Sequence, residues 1–227
     1  MNKAICIFAR APVPGEVKTR LARSIGTAGA AQLYAAMLRD TITVAQSAAR
    51  CIGSCEVVVA YTPETAFEGG EYSLAPFWNG ARQMQCNGDL GRRMLGSIAR
   101  LQEQGRCVVL IGSDTPHLPL RTITDCFGLL RHQDLHLCRT ADGGFNLIGA
   151  STPLPESIFD GVQWSTERVL DQVTHNAESL QLKWSLSNDG HDDVDTFDDL
   201  QALMRLLRAG QAHAPETARC LRLQGLL

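Results

Sequence analysis

The stretch RCVVLIGSDTP (Arg106–Pro116) runs from five apolar residues, Cys107 to Ile111, into a glycine, a carboxylate and a proline. A short apolar run bounded by turn residues has the pattern of a strand buried on both faces, as strands of parallel sheets are. The pattern recurs on either side. KAICIFA (Lys3–Ala9) and CEVVVAY (Cys55–Tyr61) read as further strands, ARQMQC (Ala81–Cys86) as a weaker one, and DLHLCR (Asp134–Arg139) and GFNLIGA (Gly144–Ala150) follow.

Helical periodicity fills the gaps: TAGAAQLYAAMLRDTITVAQSAAR (Thr27–Arg50), GDLGRRMLGSIARLQEQG closing on Gly105, and Leu120 to Arg131. A helix opened by WSTERVLDQV (Trp164–Val173) and two C-terminal helices, about Thr196 to Arg208 and Pro215 to Leu223, complete the chain. Strands alternating with helices predict a three-layer α/β/α fold around a mostly parallel sheet. No repeat, low-complexity tract or linker marks a second unit, so residues 1–227 are expected to form one domain. Apolar residues on much of the circumference of Gly29–Ala49 fit deep burial or a partner helix.

Composition narrows the function. The 227 residues carry 21 Lys plus Arg against 24 Asp plus Glu, and a net charge of -3 leaves no electrostatic footprint for nucleic acid. The opening MNKAICIFARAP lacks a secretory h-region, and no apolar run reaches the roughly 18 residues of a membrane span. A soluble, cytoplasmic protein with no membrane partner is expected. Of eight cysteines, Cys6, Cys107 and Cys138 lie in strand-like runs and only Cys51 and Cys55 are close, which favours free buried thiols over disulfides or zinc.

In open α/β sheets ligands bind beyond the carboxyl ends of the strands. The first strand runs into FARAPVPGEVKTRLA (Phe8–Ala22), where Ala9 and Arg10 are followed by Pro12, Pro14 and Gly15, and then by Lys18, Thr19 and Arg20 entering a helix. Prolines fix the loop, Gly15 permits close approach, and a helix N-terminus adds partial positive charge, a set that suits a polyphosphate. Neither the Gly-Lys-Ser/Thr phosphate loop nor the dinucleotide glycine fingerprint is present. The alternative is a solvated surface turn.

Asp114, one step past the strongest strand, is placed to hold a divalent cation through oxygen, or else to cap the next helix. NDGHDDVDTFDDL (Asn188–Leu200) offers Asp189, Asp192, Asp193, Asp195, Asp198 and Asp199. In an extended segment Asp193 and Asp195 point the same way, suited to one metal, while Thr196 and Asp198 cap and open the following helix. Gly88 and Gly91 flank Asp89 before a helix, and Gly143 and Gly144 follow Asp142 before a strand, either as tight turns or as backbone that approaches a ligand closely.

Ser113, Asp114 and His117 do not make a hydrolase, because IGSDT lacks the second glycine of the nucleophile elbow. His132 and His136 have no evident third metal ligand. Trp164 either stacks on a sugar or base or packs on the next helix, with Ser165 or Thr166 as that helix's N-cap; Trp78 and Trp184 read as core or surface patch.

Taken in order, FARAPVPGEVKTRL, GDLGRRM, LIGSDTP, DGGFNLIG, WSTERVL and DVDTFDDL resemble a bacterial glycosyltransferase-A-like family of uncharacterised transferases, kin to 2-phospholactate guanylyltransferase and the molybdenum-cofactor nucleotidyltransferases. The resemblance implies a nucleotide-diphospho-sugar transferase fold and a nucleotide or nucleotide sugar as one partner, with a small-molecule acceptor as the other. It implies Arg10, Lys18, Arg20 and Asp114 as catalytic residues, the cations on phosphates and Asp114 on Mg²⁺ or Mn²⁺. Asp195, with Asp193, takes a second metal position. Ala9, Pro12, Gly15 and Thr19 shape the phosphate loop, Gly88, Asp89 and Gly91 lie near base and ribose, and Asp142, Gly143, Gly144 and Trp164 line the acceptor side. Many members carry an aromatic residue where this chain has Asn146, which instead is similar to the Gly-Thr-Asn-Ala-Leu stretch of the guanylyltransferases and points to nucleotidyl transfer.

The expected reaction is therefore Mg²⁺-dependent nucleotidyl transfer from a nucleoside triphosphate to a small phosphorylated or hydroxyl acceptor. Glycosyl transfer, with Asp142 as base, is the alternative. A catalytically inactive nucleotide-binding module is the third reading, disfavoured by the presence of both acidic positions.

Overall fold

The computed structural model describes residues 2–188 and 191–227, so Asp189 of the acidic segment lies outside the described residues. Its sheet contains β1 (Asn2–Arg10), β2 (Cys55–Thr62), β3 (Arg82–Met84), β4 (Arg106–Gly112), β5 (Leu135–Arg139), β6 (Phe145–Ala150) and β7 (Trp184–Ser187). The order is β3-β2-β1-β4-β6-β5-β7, and β6 runs antiparallel to β4 and β5 in an otherwise parallel arrangement. The helices are α1 (Ala22–Ile25), α2 (Thr27–Ile52), α3 (Leu90–Gln102), α4 (Leu120–Leu129), α5 (Val169–Ser179), α6 (Phe197–Arg208) and α7 (Pro215–Leu223).

Alternation along each strand builds two cores. Ile5, Ile7, Val59, Val109 and Ile111 meet Leu38 and Ile42 of α2 and Ile123 and Phe127 of α4. Cys6, Val58, Val108 and Leu110 meet Met94 and Ile98 of α3 and Leu170 and Val173 of α5 on the other face. Each fully buried Ile or Leu contributes roughly 1.5–3 kcal/mol, so these layers dominate the stability of the fold.

A third cluster, Leu33 and Met37 of α2 with Leu200 and Leu203 of α6 and Leu221 of α7, covers the remaining side of α2. The apolar circumference of α2 is thus buried within the chain. Asp40 of α2 accepts from the backbone N–H groups of Glu216 (3.0 Å) and Thr217 (2.8 Å), capping α7 from outside, since α7 has no side-chain cap of its own.

One expectation needs correction, and one strand is unforeseen. WSTER does not open a helix: α5 begins at Val169, Ser165 sits in the left-handed region (φ 64°), and Thr166 Oγ1 donates to the Gln163 carbonyl at 2.7 Å, closing a turn instead. Thr196 caps α6 and Asp198 stands in its first turn as expected, and Asp199 completes a reciprocal capping box with Thr196. The edge strand β7 is not foreseen, because its four residues are half-buried and carry no apolar run; pairing with β5 supplies what local pattern does not. Among the described residues no cysteine is in a disulfide, four cysteines are buried, and no helix is long and apolar enough to cross a membrane.

Candidate functional site

β1 and β4 are neighbours, so their carboxyl ends deliver Arg10 and Asp114 to one edge of the sheet. The loop after β1 turns through Gly15 (φ 83°) and Lys18 (φ 47°), the latter a left-handed lysine of the kind that costs roughly 1–3 kcal/mol and marks functional loops. The Lys18 side chain is 3% exposed, and its Nζ lies 2.6 Å from Asp114 Oδ1 and 2.8 Å from Asp195 Oδ1. Burial works against the ammonium charge, but Asp114 and Asp195 outweigh it, so the pKa is raised and the lysine stays charged.

A cavity of about 220 Å³ opens beside this triad, lined by Phe8, Arg10, Glu16, Tyr34, Gln85, Arg93 and Ser113 among others. Tyr34 Oη accepts from the Arg10 backbone N–H at 2.9 Å and shares a 2.9 Å hydrogen bond with Ser113 Oγ, tying the ends of β1 and β4 to α2. Burial, then the Asp114 charge, push its phenol up to about 12, so it remains a neutral hydroxyl. Buried Gln85 donates to the carbonyls of Ala60 (2.8 Å) and Ala9 (3.2 Å) and accepts from Arg93 Nε (3.0 Å), fixing the guanidinium, which lies 5.4 Å over the Phe8 ring. The Arg93 pKa is lowered by burial and then by the charge of Arg10, as expected for two cations facing one space.

Across Asp114 a second cavity, about 440 Å³, is lined by Arg20, Asp142, Gly144, Trp164, Glu167, Asp193 and Asp195. The acidic segment is pinned to the loop after β4 and to the β5–β6 turn: Val194 N–H donates to the Asp114 carbonyl at 2.9 Å, Thr115 Oγ1 donates to Asp193, and the Ala141 N–H donates to Asp192 at 2.8 Å. Asp193 is pushed up to about 7, by burial first and then by the Asp114 charge.

Asp142 is engaged locally, accepting from Thr140 Oγ1 at 2.6 Å and Gly144 N–H at 3.0 Å, so it holds the turn rather than waiting as a free base. Gly143 has φ 83°, and a Cβ there would lie 2.1 Å from the Glu167 carbonyl oxygen. Gly91 admits Trp164, since a Cβ would lie 2.7 Å from its ring, and Trp164 packs edge-on against Phe159 at 5.5 Å.

The residues singled out in the sequence therefore divide. Arg10, Lys18, Asp114, Asp193 and Asp195 converge, and Ala9 lines the same cavity as Arg10 and Lys18. Arg20 faces the second cavity, apart from Arg10, so the basic loop does not present its three cations to one point. Pro12, Gly15 and Thr19 shape the loop and line neither cavity. Asp89 caps α3 by accepting from Arg92 N–H at 2.9 Å, Gly88 adopts φ 126° beside it, and Asp114 is no helix cap, since Pro119 precedes α4. Tyr34, Gln85, Arg93 and Ser113 are not foreseen as a group; the one signal for Arg93 is its place one turn beyond Gly88–Gly91 in a helix starting at the sheet edge.

A divalent cation is implied by the resemblance. The donor chemistry fits a hard ion: the carboxylates of Asp114, Asp193 and Asp195 line one cavity, and the Asp114 charge adds to burial in raising the Asp193 carboxyl. Among the described residues, however, no three His, Cys, Asp or Glu side chains are already gathered as a cation site, because the Lys18 ammonium stands between Asp114 and Asp195.

Across 99% of the chain and 97% of its own, a protein of Desulfovibrio desulfuricans G20 provisionally designated a nucleotide-diphospho-sugar transferase is similar at 27% identity with a TM-score of 0.82. A cytidylyltransferase of Leptospira borgpetersenii serovar Hardjo-bovis shares the fold at 14% identity and TM-score 0.59, over 99% of this chain and 96% of that one. So does a CMP-2-keto-3-deoxy-manno-octonic acid synthetase in complex with CTP, at 12% identity and TM-score 0.53, over 92% and 100%. No curated protein matches. The fold is that of the nucleotide-diphospho-sugar transferases. The model of the family described as "Uncharacterized protein conserved in bacteria (DUF2064)" matches residues 43–166, more than half of the sequence, and the chain belongs to that family.

Proposed function

We propose that this single domain is a transferase acting on a nucleotide, and that it transfers a nucleotidyl group from a nucleoside triphosphate to a small phosphorylated or hydroxyl acceptor. The observation that carries the reading is the pairing of Lys18 with Asp114 and Asp195 at the strand ends, between a cavity holding Arg10 and Arg93 and one lined by carboxylates. An anion between Arg10 and Arg93 would relieve their mutual repulsion, which suits phosphates. The likeness to a cytidylyltransferase and to a synthetase that binds CTP supports a nucleotide as substrate.

In this reading Arg10, Arg93 and Lys18 hold the phosphates, and Gln85 and Tyr34 keep Arg93 and the β1 end in place. The acceptor oxygen forms a bond to the α-phosphorus while the bond to the bridging oxygen breaks and pyrophosphate leaves. A hydroxyl acceptor passes its proton to a carboxylate of the acceptor cavity. Asp114, Asp195 and Asp193 would hold Mg²⁺, which when bound neutralises phosphate charge. A cation held there would take the space that the Lys18 ammonium fills between Asp114 and Asp195, which would link nucleotide binding to cation binding.

Glycosyl transfer from a nucleotide sugar is the second reading, favoured by the provisional designation of the Desulfovibrio protein but weakened by the engaged Asp142. Calorimetric titration with the four ribonucleoside triphosphates and with uridine and guanosine diphosphate sugars, each with and without Mg²⁺, separates them. Mg²⁺-dependent binding of one triphosphate is expected; sugar nucleotides binding at least tenfold tighter would favour glycosyl transfer, and no binding at all would end both.

A further inference from the structure

Beside Asp114 and Asp193, a small pocket of about 150 Å³ sinks between β1, α3, β4 and β6, and its walls are mostly apolar: Phe8, Met94, Leu110 and Phe145. A cavity of about 150 Å³ lined by such side chains is large enough for a benzene-sized group. Three polar side chains complete the walls, the carboxylates of Asp114 and Asp193 and the amide of Asn146, and the amide is the uncharged one of the three. Asn146 is 6% exposed; its Nδ2 donates to the His191 carbonyl at 2.6 Å, which fixes the amide's orientation. Its Oδ1 is buried and has no hydrogen-bond partner among the described residues. An unmet carbonyl oxygen in an apolar setting costs roughly 1–3 kcal/mol, and such a group calls for a donor from outside the protein.

The larger acceptor cavity adjoining it presents five carboxylates, Asp114, Asp142, Glu167, Asp193 and Asp195, against two cations, the Arg20 guanidinium in its lining and the Lys18 ammonium paired with Asp114 and Asp195, which leaves a surplus of negative charge. That field opposes a phosphorylated or carboxylated acceptor and leaves uncharged ones unaffected.

We propose that the pocket is the seat of an uncharged acceptor, an alcohol whose compact apolar body lies against Phe8, Met94 and Phe145 and whose hydroxyl hydrogen-bonds to Asn146 Oδ1. The inference rests on the transferase reading and narrows it, from any small acceptor to an apolar alcohol. It also gives Asn146 a function as a specificity residue distinct from the phosphate-holding cations.

The test is a ¹⁹F NMR titration of the full chain with 4-fluorobenzyl alcohol, 4-fluorotoluene and 4-fluorobenzyl phosphate, run beside the nucleotide titration. Saturable binding of the alcohol is expected, tighter than that of the toluene or the phosphate ester. Asn146→Leu should weaken the alcohol about tenfold and leave the toluene within about threefold. Leu90→Trp, at a rim position 40% exposed and so of little risk to folding, should block all three probes. No alcohol binding, equal alcohol affinity in wild type and Asn146→Leu, undiminished binding to Leu90→Trp, or preference for the phosphate ester would each overturn the proposal. Nucleotide binding without alcohol binding defeats the pocket and spares the transferase reading. Alcohol binding with no nucleotide bound defeats the transferase reading, and the pocket loses its meaning as an acceptor seat with it.

Discussion

The ammonium of Lys18 lies 2.6 Å from Oδ1 of Asp114, although 96 residues separate the two along the chain, and the same ammonium lies 2.8 Å from Asp195. One cation thus occupies the space between two carboxylates that the proposed reaction needs for another. Replacing it with Met removes the balancing charge and leaves two carboxylates facing each other.

Lys18→Met is therefore expected to lower the melting temperature by several degrees, consistent with a loss of about 1–2 kcal/mol, the partners being partly exposed and screened. Adding Mg²⁺ without nucleotide should recover much of that loss in the variant and raise wild type less. Thermal unfolding with and without MgCl₂ checks both; an equal response of the two proteins would argue against competition between ammonium and metal for this space.

Glycine substitutions separate backbone freedom from space. Gly15 and Gly143 share φ 83°, but a Cβ on Gly15 meets nothing within 4 Å, whereas on Gly143 it would lie 2.1 Å from the Glu167 carbonyl oxygen. Gly15→Ala should cost about 1 kcal/mol, the penalty for an alanine in the left-handed region. Gly143→Ala should cost at least about 3 kcal/mol and disturb the Asp142 turn, because backbone must move. Urea denaturation of the pair gives the comparison, and equal losses would show that the 143–167 contact is not rigid.

His117 is 8% exposed, its Nδ1 is buried without a partner among the described residues, and its ring packs edge-on against His191 at 4.9 Å. Burial, then the His191 charge, push its pKa down to about 4 from an ordinary 6.5. Between these values the unfolded chain binds a proton that the folded chain does not, so this histidine's contribution is intact above pH 6.5 and falls as the pH drops toward 4. Denaturation at pH 7 and pH 5 should show wild type losing more stability than His117→Asn, by up to about 2 kcal/mol; the difference between the two proteins isolates His117 from Asp193, which titrates with the opposite sign. Parallel losses would mean that His117 is protonated in the fold.

The sheet was legible in the sequence because its strands are buried on both faces and announce themselves as apolar runs; β4 and β1 need no partner to be read. β7 was not, since half-burial at an edge leaves no local signature. At the site, what lay within one loop was legible: the basic loop after β1, the carboxylate after β4, the paired acids before α6. What depended on distant partners was not. Nothing near Lys18 announces Asp114 and Asp195, and nothing near Gln85 announces that it anchors Arg93. The WSTER turn misled for the opposite reason, because Thr166 has capping chemistry and uses it on a turn ahead of α5.

The account stands or falls on whether Asp114 joins nucleotide and metal in one site. The most direct measurement is Mn²⁺ binding followed by electron paramagnetic resonance, on wild type and Asp114→Asn, with and without the nucleoside triphosphate that binds best. The account predicts weak Mn²⁺ binding by wild type alone, tightening at least tenfold with nucleotide, or about 1.4 kcal/mol, and no such tightening in a folded Asp114→Asn. Nucleotide bound equally well by both proteins, with Mn²⁺ left free, would contradict it.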